Sequence, residues 1–164
     1  ITEKRGGQYF AAAVGEVNVV AAMKAHNAVI GGEGNGGVIV PRLHYGRDAL
    51  AGIALFLSHL AHYGKSCSML RSQYPNYYIS KNKIQLTPEV DVDAVLAAIK
   101  KQYRNQELNE IDGLKIHFDT DWVHLRKSNT EPIIRIYAES TSETTADSIA
   151  KKIMEDIRDV VKNR

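Results

Sequence analysis

The sequence has little cysteine and no long apolar run, and each scarcity excludes a class of protein. The single cysteine, Cys67, can form neither a disulfide framework nor a cysteine-based metal site. The most apolar-rich segment, residues 49–61, is too short to span a bilayer. The formal net charge of +2 is too small to predict binding to nucleic acid or to an acidic membrane. We therefore expect a protein of the reducing cytoplasm with neither nucleic acid nor membrane as a partner.

The chain has an ordinary globular composition, with 164 residues of which 44% are hydrophobic and 24% are charged. That length suits one domain or two small ones. The sequence begins Ile-Thr-Glu-Lys without a methionine. We expect it to be the C-terminal portion of a longer protein, whose missing N-terminal domains would then be its partners.

Residues 1–64 alternate between strand-like and helix-like patterns. The expected elements are strands at 8–14, 28–30 and 38–40 and helices at 16–26 and 49–63. Asp48 is a suitable N-cap for the second helix, and Gly64 stands where a C-terminal glycine belongs. This order predicts the C-terminal remnant of an α/β domain with a mixed sheet.

Residues 65–164 predict a second domain of a different class. After a short helix at 67–72, strands are expected at 77–86, 114–118, 122–126 and 133–138, with helices at 91–103 and after residue 140. Ser140 and Glu143 have the spacing of a capping box, and the last helix carries a continuous apolar stripe. The pattern predicts an α+β domain whose mostly antiparallel sheet has helices on one face.

The loop between the last two expected strands carries a set of anion-binding groups. Ser128, Asn129 and Thr130 lie between Arg126 and Arg135. Guanidinium groups bind phosphate in a bidentate way, and successive backbone N–H groups in a turn can form an anion nest. This set suits a phosphate monoester, whereas the alternative is an ordinary polar hairpin loop.

A second loop contains five glycines in the seven residues 31–37. It satisfies the Gly-x-Gly-x-x-Gly pattern, but a dinucleotide site requires a helix next, and residues 38–41 are extended. The loop could be a flexible turn, although that leaves Glu33 unexplained. A carboxylate among glycines can accept hydrogen bonds from two vicinal sugar hydroxyls, and Asn35 can add a donor and an acceptor.

Both loops resemble motifs of the alpha-D-phosphohexomutase family, which includes phosphoglucomutase, phosphomannomutase and phosphoglucosamine mutase. Arg-x-Ser-Asn-Thr-Glu-Pro-x-x-Arg looks like the phosphate loop of the family's last domain, and Gly-Gly-Glu-Gly-Asn-Gly-Gly is similar to the sugar loop of its third domain. The resemblance implies that the substrate phosphate meets the residues Arg126, Ser128, Asn129, Thr130 and Arg135. It also implies that the sugar hydroxyls meet Glu33 and Asn35.

The chain departs from the family pattern at three positions of the N-terminal part. Many members have serine at Asn35 and histidine at Gly37, and some have a substrate-contacting histidine at Glu16. These departures leave the identity of the sugar open. The resemblance covers the end of the third domain and all of the fourth, so residues 1–64 are expected to recognise the sugar and residues 65–164 the phosphate.

The resemblance implies that the parent enzyme interconverts hexose 1-phosphate and hexose 6-phosphate through a hexose 1,6-bisphosphate. The family's phosphorylated serine and its magnesium loop, Asp-x-Asp-x-Asp-Arg, are not in this sequence. Asp91 with Asp93, and Asp119 with Asp121, are poor substitutes for an octahedral Mg²⁺ site. We therefore predict no catalytic residue and no metal site in this chain, which should be inactive alone.

Three functions remain open. The expected one is phosphoglucomutase or phosphomannomutase activity in the parent, and phosphoglucosamine mutase is the alternative. A non-catalytic phosphosugar- or phosphate-binding module is an alternative of another class. His124 shares a strand face with Arg126 and could border the phosphate, whereas the roles of Glu16, Arg42 and Arg47 are undecided.

Overall fold

The computed structural model describes residues 2–87, 89–128 and 131–162. It forms two compact units, Ile1–Tyr74 and Pro75–Arg164, called here the N-terminal and C-terminal units. The N-terminal unit thus includes a short helix beyond Gly64, where the sequence places the domain boundary. In the part of the chain that the structure describes, no helix is long and apolar enough to cross a membrane.

From residue 2 onward, the N-terminal unit contains three α-helices and a two-stranded hairpin. Its elements are a 3-10 turn at Glu3–Arg5, α1 (Glu16–His26), β1 (Gly31–Gly32), β2 (Val38–Ile39), α2 (Ala49–Tyr63) and α3 (Cys67–Arg71). The Asp48 side chain accepts a hydrogen bond from the Ala51 N–H at 2.9 Å, and Gly64 ends α2 with φ of 68°. The predicted helices and both caps of α2 are confirmed.

Two predicted strands of the N-terminal unit are wrong. Residues 8–14 and 28–30 belong to no strand, and Val29 is 81% exposed. The strand instead begins at Gly31, where the two glycines pair with Val38 and Ile39 in antiparallel register. The apolar composition of 8–14 and 28–30 suggested strands, but a strand also requires a hydrogen-bonded partner, which composition does not report.

The described residues of the C-terminal unit form a five-stranded antiparallel sheet with two helices. Its elements are β3 (Tyr78–Gln85), α4 (Val92–Gln102), β4 (Glu107–Asn109), β5 (Leu114–His117), β6 (Trp122–Lys127), β7 (Ile133–Ser140) and α5 (Glu143–Lys162). The strand order is β3-β7-β6-β5-β4, and every pair is antiparallel. The predicted α+β class is confirmed, although β4 was missed because its three residues are too few for an alternating pattern.

The two faces of this sheet differ in chemistry. Alternating side chains such as Val123, Leu125, Ile134 and Ile136 are completely buried and form one core with residues of α4 and α5. The opposite face, called here the open face, carries Lys83, Lys115, Trp122, His124, Arg126, Arg135 and Tyr137. The helices therefore cover one face, as predicted, and the candidate phosphate ligands Arg126 and Arg135 lie on the other.

The last helix begins two residues later than the predicted capping box requires. Ser142 is the N-cap, since its Oγ accepts a hydrogen bond from the Thr145 N–H at 3.4 Å. Ser140 still belongs to β7, where it is 2% exposed and its Oγ accepts from the Ser142 N–H. The predicted apolar stripe of α5 is confirmed, because its members Ala146, Ala150, Ile153 and Ile157 are buried.

Candidate functional site

The loop between β6 and β7 is closed by backbone hydrogen bonds on both sides. The Ser128 N–H donates to the Ile133 carbonyl at 3.1 Å, and the Leu86 N–H donates to the Pro132 carbonyl at 2.8 Å. Ser128 is 7% exposed. The other two predicted loop ligands, Asn129 and Thr130, lie outside the described residues.

Cross-strand pairing brings the two arginines of the loop motif together. Arg126 of β6 is directly opposite Arg135 of β7, and Arg135 is directly opposite Lys83 of β3. These three cations form a row across three adjacent strands on the open face, called here the cationic row. Because like charges directly opposite each other destabilise a sheet, the row is better suited to a bound anion than to empty solvent.

Asp112 compensates one end of the cationic row. Its Oδ2 lies 2.9 Å from Arg126 Nε, which is an ion-pair distance, although the N–H is not aligned for a hydrogen bond. Both side chains are about a quarter exposed, at 24% for Arg126 and 28% for Asp112. The contact holds the guanidinium beside the turn that precedes β5.

His124 borders the row, and its surroundings favour the neutral imidazole. Burial lowers the pKa of His124 below its usual value, and the cations Arg126 and Lys115 lower the pKa further. A hydrogen bond from Nε2 to the Asp112 carbonyl and the Asp112 charge oppose that shift without cancelling it. Because the lowered pKa favours the neutral imidazole, we do not count His124 among the cations of the row.

Lys127 lies on the other face of the sheet, in accordance with the strand alternation. Its Nζ contacts Asp93 Oδ2 of α4 at 2.6 Å. Asp91 caps the same helix, since its Oδ1 accepts from the N–H groups of Asp93 and Ala94. Among the described residues, no group of three His, Cys, Asp or Glu side chains is arranged to hold a metal ion.

The glycine-rich segment of the N-terminal unit forms the end of the β1–β2 hairpin. The Glu33 N–H donates to the Gly37 carbonyl at 3.0 Å, and the Gly36 N–H donates back to the Glu33 carbonyl at 3.1 Å. Gly36 has φ of 93°, a conformation that favours glycine. Asn35 Oδ1 accepts from the Gly37 N–H at 3.0 Å, so this oxygen stabilises the turn.

The Glu33 side chain is held by the backbone at the rim of a cavity. Its Oε1 accepts a hydrogen bond from the Gly15 N–H at 3.1 Å. The cavity has a volume of about 560 Å³, and Glu33 and Asn35 line it together with apolar side chains such as Phe10 and Met23. This size suits a small ligand, and the anchoring hydrogen bond orients the carboxylate without burying it.

Glu16 and Arg47 form an ion pair beside the same hairpin. Glu16 Oε2 lies 2.9 Å from Arg47 Nε, and its Oε1 accepts from the Arg47 N–H at 3.2 Å. The Arg47 stem packs over Gly37, where an added Cβ would lie only 2.8 Å from Arg47 Cδ. Two positions at which the chain departs from the family pattern, Glu16 and Gly37, are therefore linked through Arg47.

Each unit thus assembles its own candidates. Glu33 and Asn35 meet at the hairpin of the N-terminal unit, while Arg126, Ser128 and Arg135 lie at the end of the C-terminal sheet. Sequence reasoning missed Lys83 and Asp112, whose places depend on strand pairing between segments far apart in the chain. No local signal marks either residue.

Known proteins resemble the chain over nearly its whole length. Residues 1–78 match the family model "Phosphoglucomutase/phosphomannomutase, alpha/beta/alpha domain III", and residues 82–156 match "Phosphoglucomutase/phosphomannomutase, C-terminal domain". The chain therefore belongs to the phosphoglucomutase/phosphomannomutase family, in which it corresponds to domain III and the C-terminal domain. The resemblance inferred from the two loop motifs is confirmed.

Relatives within the family carry more than one functional name. The chain is 38% identical to a phosphoglucomutase/phosphomannomutase of Thermococcus kodakarensis, over 89% of this chain and 32% of that protein. It is 37% identical to a phosphoglucosamine/phosphogalactosamine mutase of Sulfurisphaera tokodaii, over 87% of this chain and 32% of that protein.

A solved structure supports the same membership. A phosphoglucomutase/phosphomannomutase family protein of Burkholderia thailandensis superimposes with a TM-score of 0.73 at 28% identity, covering 98% of this chain and 34% of that one. The chain therefore spans about a third of the length of the relatives that it matches.

Proposed function

We propose that this chain is the substrate-binding region of a phosphohexose mutase that interconverts hexose 1-phosphate and hexose 6-phosphate through a hexose 1,6-bisphosphate. The observation that carries the proposal is the direct pairing of Arg126 with Arg135 beside the loop of Ser128. The name of the Thermococcus relative favours glucose and mannose phosphates as substrates.

The C-terminal unit supplies the phosphate contacts in this proposal. Arg126 and Arg135 neutralise the dianion, and Ser128, Asn129 and Thr130 offer hydroxyl, amide and backbone donors. Charge-assisted hydrogen bonds to phosphate are roughly twice as strong as neutral ones. The cationic row supports this assignment because its repulsion is relieved when an anion binds.

The N-terminal unit supplies the sugar contacts. Glu33 Oε1 is engaged by the Gly15 N–H, and the carboxylate accepts hydroxyl protons through its remaining lone pairs. Asn35 contributes its side-chain NH₂ group, since its Oδ1 already accepts from Gly37.

The chemical step belongs to the parent protein. The described residues offer no three-ligand group that fits Mg²⁺, so we assign the magnesium ion, with the phosphorylated serine, to the N-terminal domains of the parent. This chain binds and orients the phosphorylated hexose, and phosphoryl transfer depends strongly on such positioning. We also propose that the parent is a cytoplasmic enzyme.

Phosphoglucosamine mutase activity is the second candidate. It is favoured by the 37% identity to the Sulfurisphaera relative, which carries an aminosugar name. The candidate of another class is a phosphosugar- or phosphate-binding module without catalysis. A parent gene that encodes the serine and magnesium loops decides between the enzyme and the binding module.

Calorimetric titration of the chain tests the binding functions. We expect glucose 1-phosphate to bind more tightly than inorganic phosphate, because both loops contribute, and glucosamine 6-phosphate to bind more weakly than the glucose ester. The reverse order of the two sugars supports the aminosugar candidate. Binding of phosphate alone rejects the role of Glu33, and no binding of any of the three ligands rejects an autonomous substrate-binding region.

A further inference from the structure

Lys83 lies beside the candidate phosphate loop although it is more than forty residues away in sequence. It is exposed on the open face of β3, directly opposite Arg135, which in turn is opposite Arg126. The three side chains therefore project from the same face at the same level of three neighbouring strands.

The C-terminal end of β3 is hydrogen-bonded to the C-terminal end of the β6–β7 loop. Gln85 pairs with Ile133, and the Leu86 N–H donates to the Pro132 carbonyl at 2.8 Å. Lys83 is two residues before Gln85 and shares its face, about 7 Å along the strand. The four-carbon stem of a lysine is flexible enough to bring its ammonium group toward an anion held in the loop.

Lysines of the C-terminal unit differ in whether a carboxylate neutralises them. Lys127 pairs with Asp93, and Lys100 pairs with Glu110. Within residues 2–87, 89–128 and 131–162, no carboxylate lies at ion-pair distance from Lys83 or Arg135. Two cations are thus placed side by side on an exposed surface without a compensating anion from the described chain.

We infer that Lys83 is a third cation of the phosphate site, contributed by a strand outside the loop motif. The inference rests on the proposed function and adds a phosphate-binding residue to it. With Asp112 offsetting Arg126, the row retains two net positive charges, which match a phosphate dianion. Lys83 supplies a mobile point charge beside the planar arginine forks, so it stabilises the anion without fixing its orientation.

Lys81 provides a matched control on the same strand and the same face. It lies two residues farther along β3 from the loop than Lys83 does and is directly opposite Tyr137. Its Nζ is 5.8 Å from the centre of the Tyr137 ring. The substitutions Lys81→Met and Lys83→Met remove the same charge from the same strand. They therefore separate a specific contact from the general field of a basic surface.

The test is a titration of the ¹⁵N-labelled chain with inorganic phosphate at fixed ionic strength, followed by amide chemical shifts that include Ser128. We expect Lys83→Met to raise the Kd about three- to tenfold, Lys81→Met to change it by less than about twofold, and Lys83→Arg to remain near the wild type. Lys83→Gln gives a second neutral variant if the methionine variant folds poorly.

The outcomes separate the inference from the function on which it rests. If the wild type shows no saturable shift with phosphate, the phosphate site itself is rejected and the role of Lys83 with it. If the wild type binds and Arg126→Ala weakens binding while Lys83→Met does not, the proposed function stands and the inference is overturned. If Lys81→Met and Lys83→Met weaken phosphate affinity equally, the inference is overturned as well, because the effect then comes from the general positive field of the surface.

Discussion

The two units bury their apolar residues to very different extents. In the C-terminal unit Val95, Ile99, Ile116 and Ile136 are all 0% exposed and share one core. In the N-terminal unit the buried apolar residues of the described chain are Met23, Ile39 and Leu70, and no residue of the apolar helix α2 is buried. Apolar composition therefore does not by itself produce a core, because a helix also needs a facing surface.

This contrast predicts unequal tolerance of truncated side chains, which is the largest effect expected here. Ile136→Ala should lower the free energy of unfolding of the C-terminal unit by about 2–5 kcal/mol, since it leaves a cavity in a packed core. Leu50→Ala in α2, where the residue is 78% exposed, should change stability by less than about 0.5 kcal/mol.

Urea denaturation provides the measurement. Trp122 is the only tryptophan and lies in β6, so its fluorescence reports on the C-terminal unit, while circular dichroism at helical wavelengths includes α1 and α2. If Leu50→Ala lowered the free energy of unfolding as much as Ile136→Ala does, α2 would be packed in solution. The contrast between the two units would then not hold.

The same contrast explains what could be predicted from sequence. The helices were predictable because their signals are local: Asp48 and Asp91 cap α2 and α4, and Gly64 ends α2. Strands depend on partners distant in the chain. Residues 8–14 and 28–30 have strand-like composition but belong to no strand in the described chain, whereas Gly31 and Gly32 pair with Val38 and Ile39 despite their poor strand propensity.

In the candidate site, too, residues that are close in sequence could be predicted, whereas residues brought together from distant segments could not. The motif around Arg126 predicts candidate phosphate ligands because its residues are contiguous in sequence, and strand alternation correctly places Lys127 on the opposite face. Lys83 and Asp112 join the site only through strand register and a turn contact, which no local pattern reports. The sugar contacts of Glu33 and Asn35 remain predictions, since the contacts that the structure shows for these side chains are with the N–H groups of Gly15 and Gly37.

A second prediction compares the ligand preferences of the two units. Arg126→Ala should weaken binding of glucose 6-phosphate and of inorganic phosphate equally, by about 1.5–3 kcal/mol, because the guanidinium meets the group that both ligands share. Glu33→Gln should weaken only glucose 6-phosphate, by a smaller amount. The glutamine keeps an oxygen for the Gly15 N–H but loses the carboxylate charge.

Isothermal titration of both variants with both ligands checks this comparison. Equal losses of glucose 6-phosphate and phosphate affinity on Glu33→Gln would contradict a hydroxyl contact in the N-terminal unit. A loss on Arg126→Ala smaller than the error of the titration would remove the phosphate assignment from the C-terminal unit.

The smallest predicted effect concerns the pH dependence of the C-terminal unit. Because the pKa of His124 is lowered in the folded state, the folded chain binds this proton less readily than the unfolded chain does. The neutral imidazole therefore contributes stability above its unfolded pKa of about 6.5. That contribution is lost as the pH falls below this value, by at most about 1.4 kcal/mol for each pH unit.

His124→Gln should accordingly flatten the decline of stability between pH 7 and pH 5, measured by urea denaturation followed through Trp122 fluorescence. His117→Gln is the matched control, since His117 lies on the same open face in β5, two strand positions from the residue opposite His124. An unchanged slope in the His124 variant would mean that the imidazole is as easily protonated in the fold as in the unfolded chain. The cationic row would then gain a fourth positive charge at mildly acidic pH.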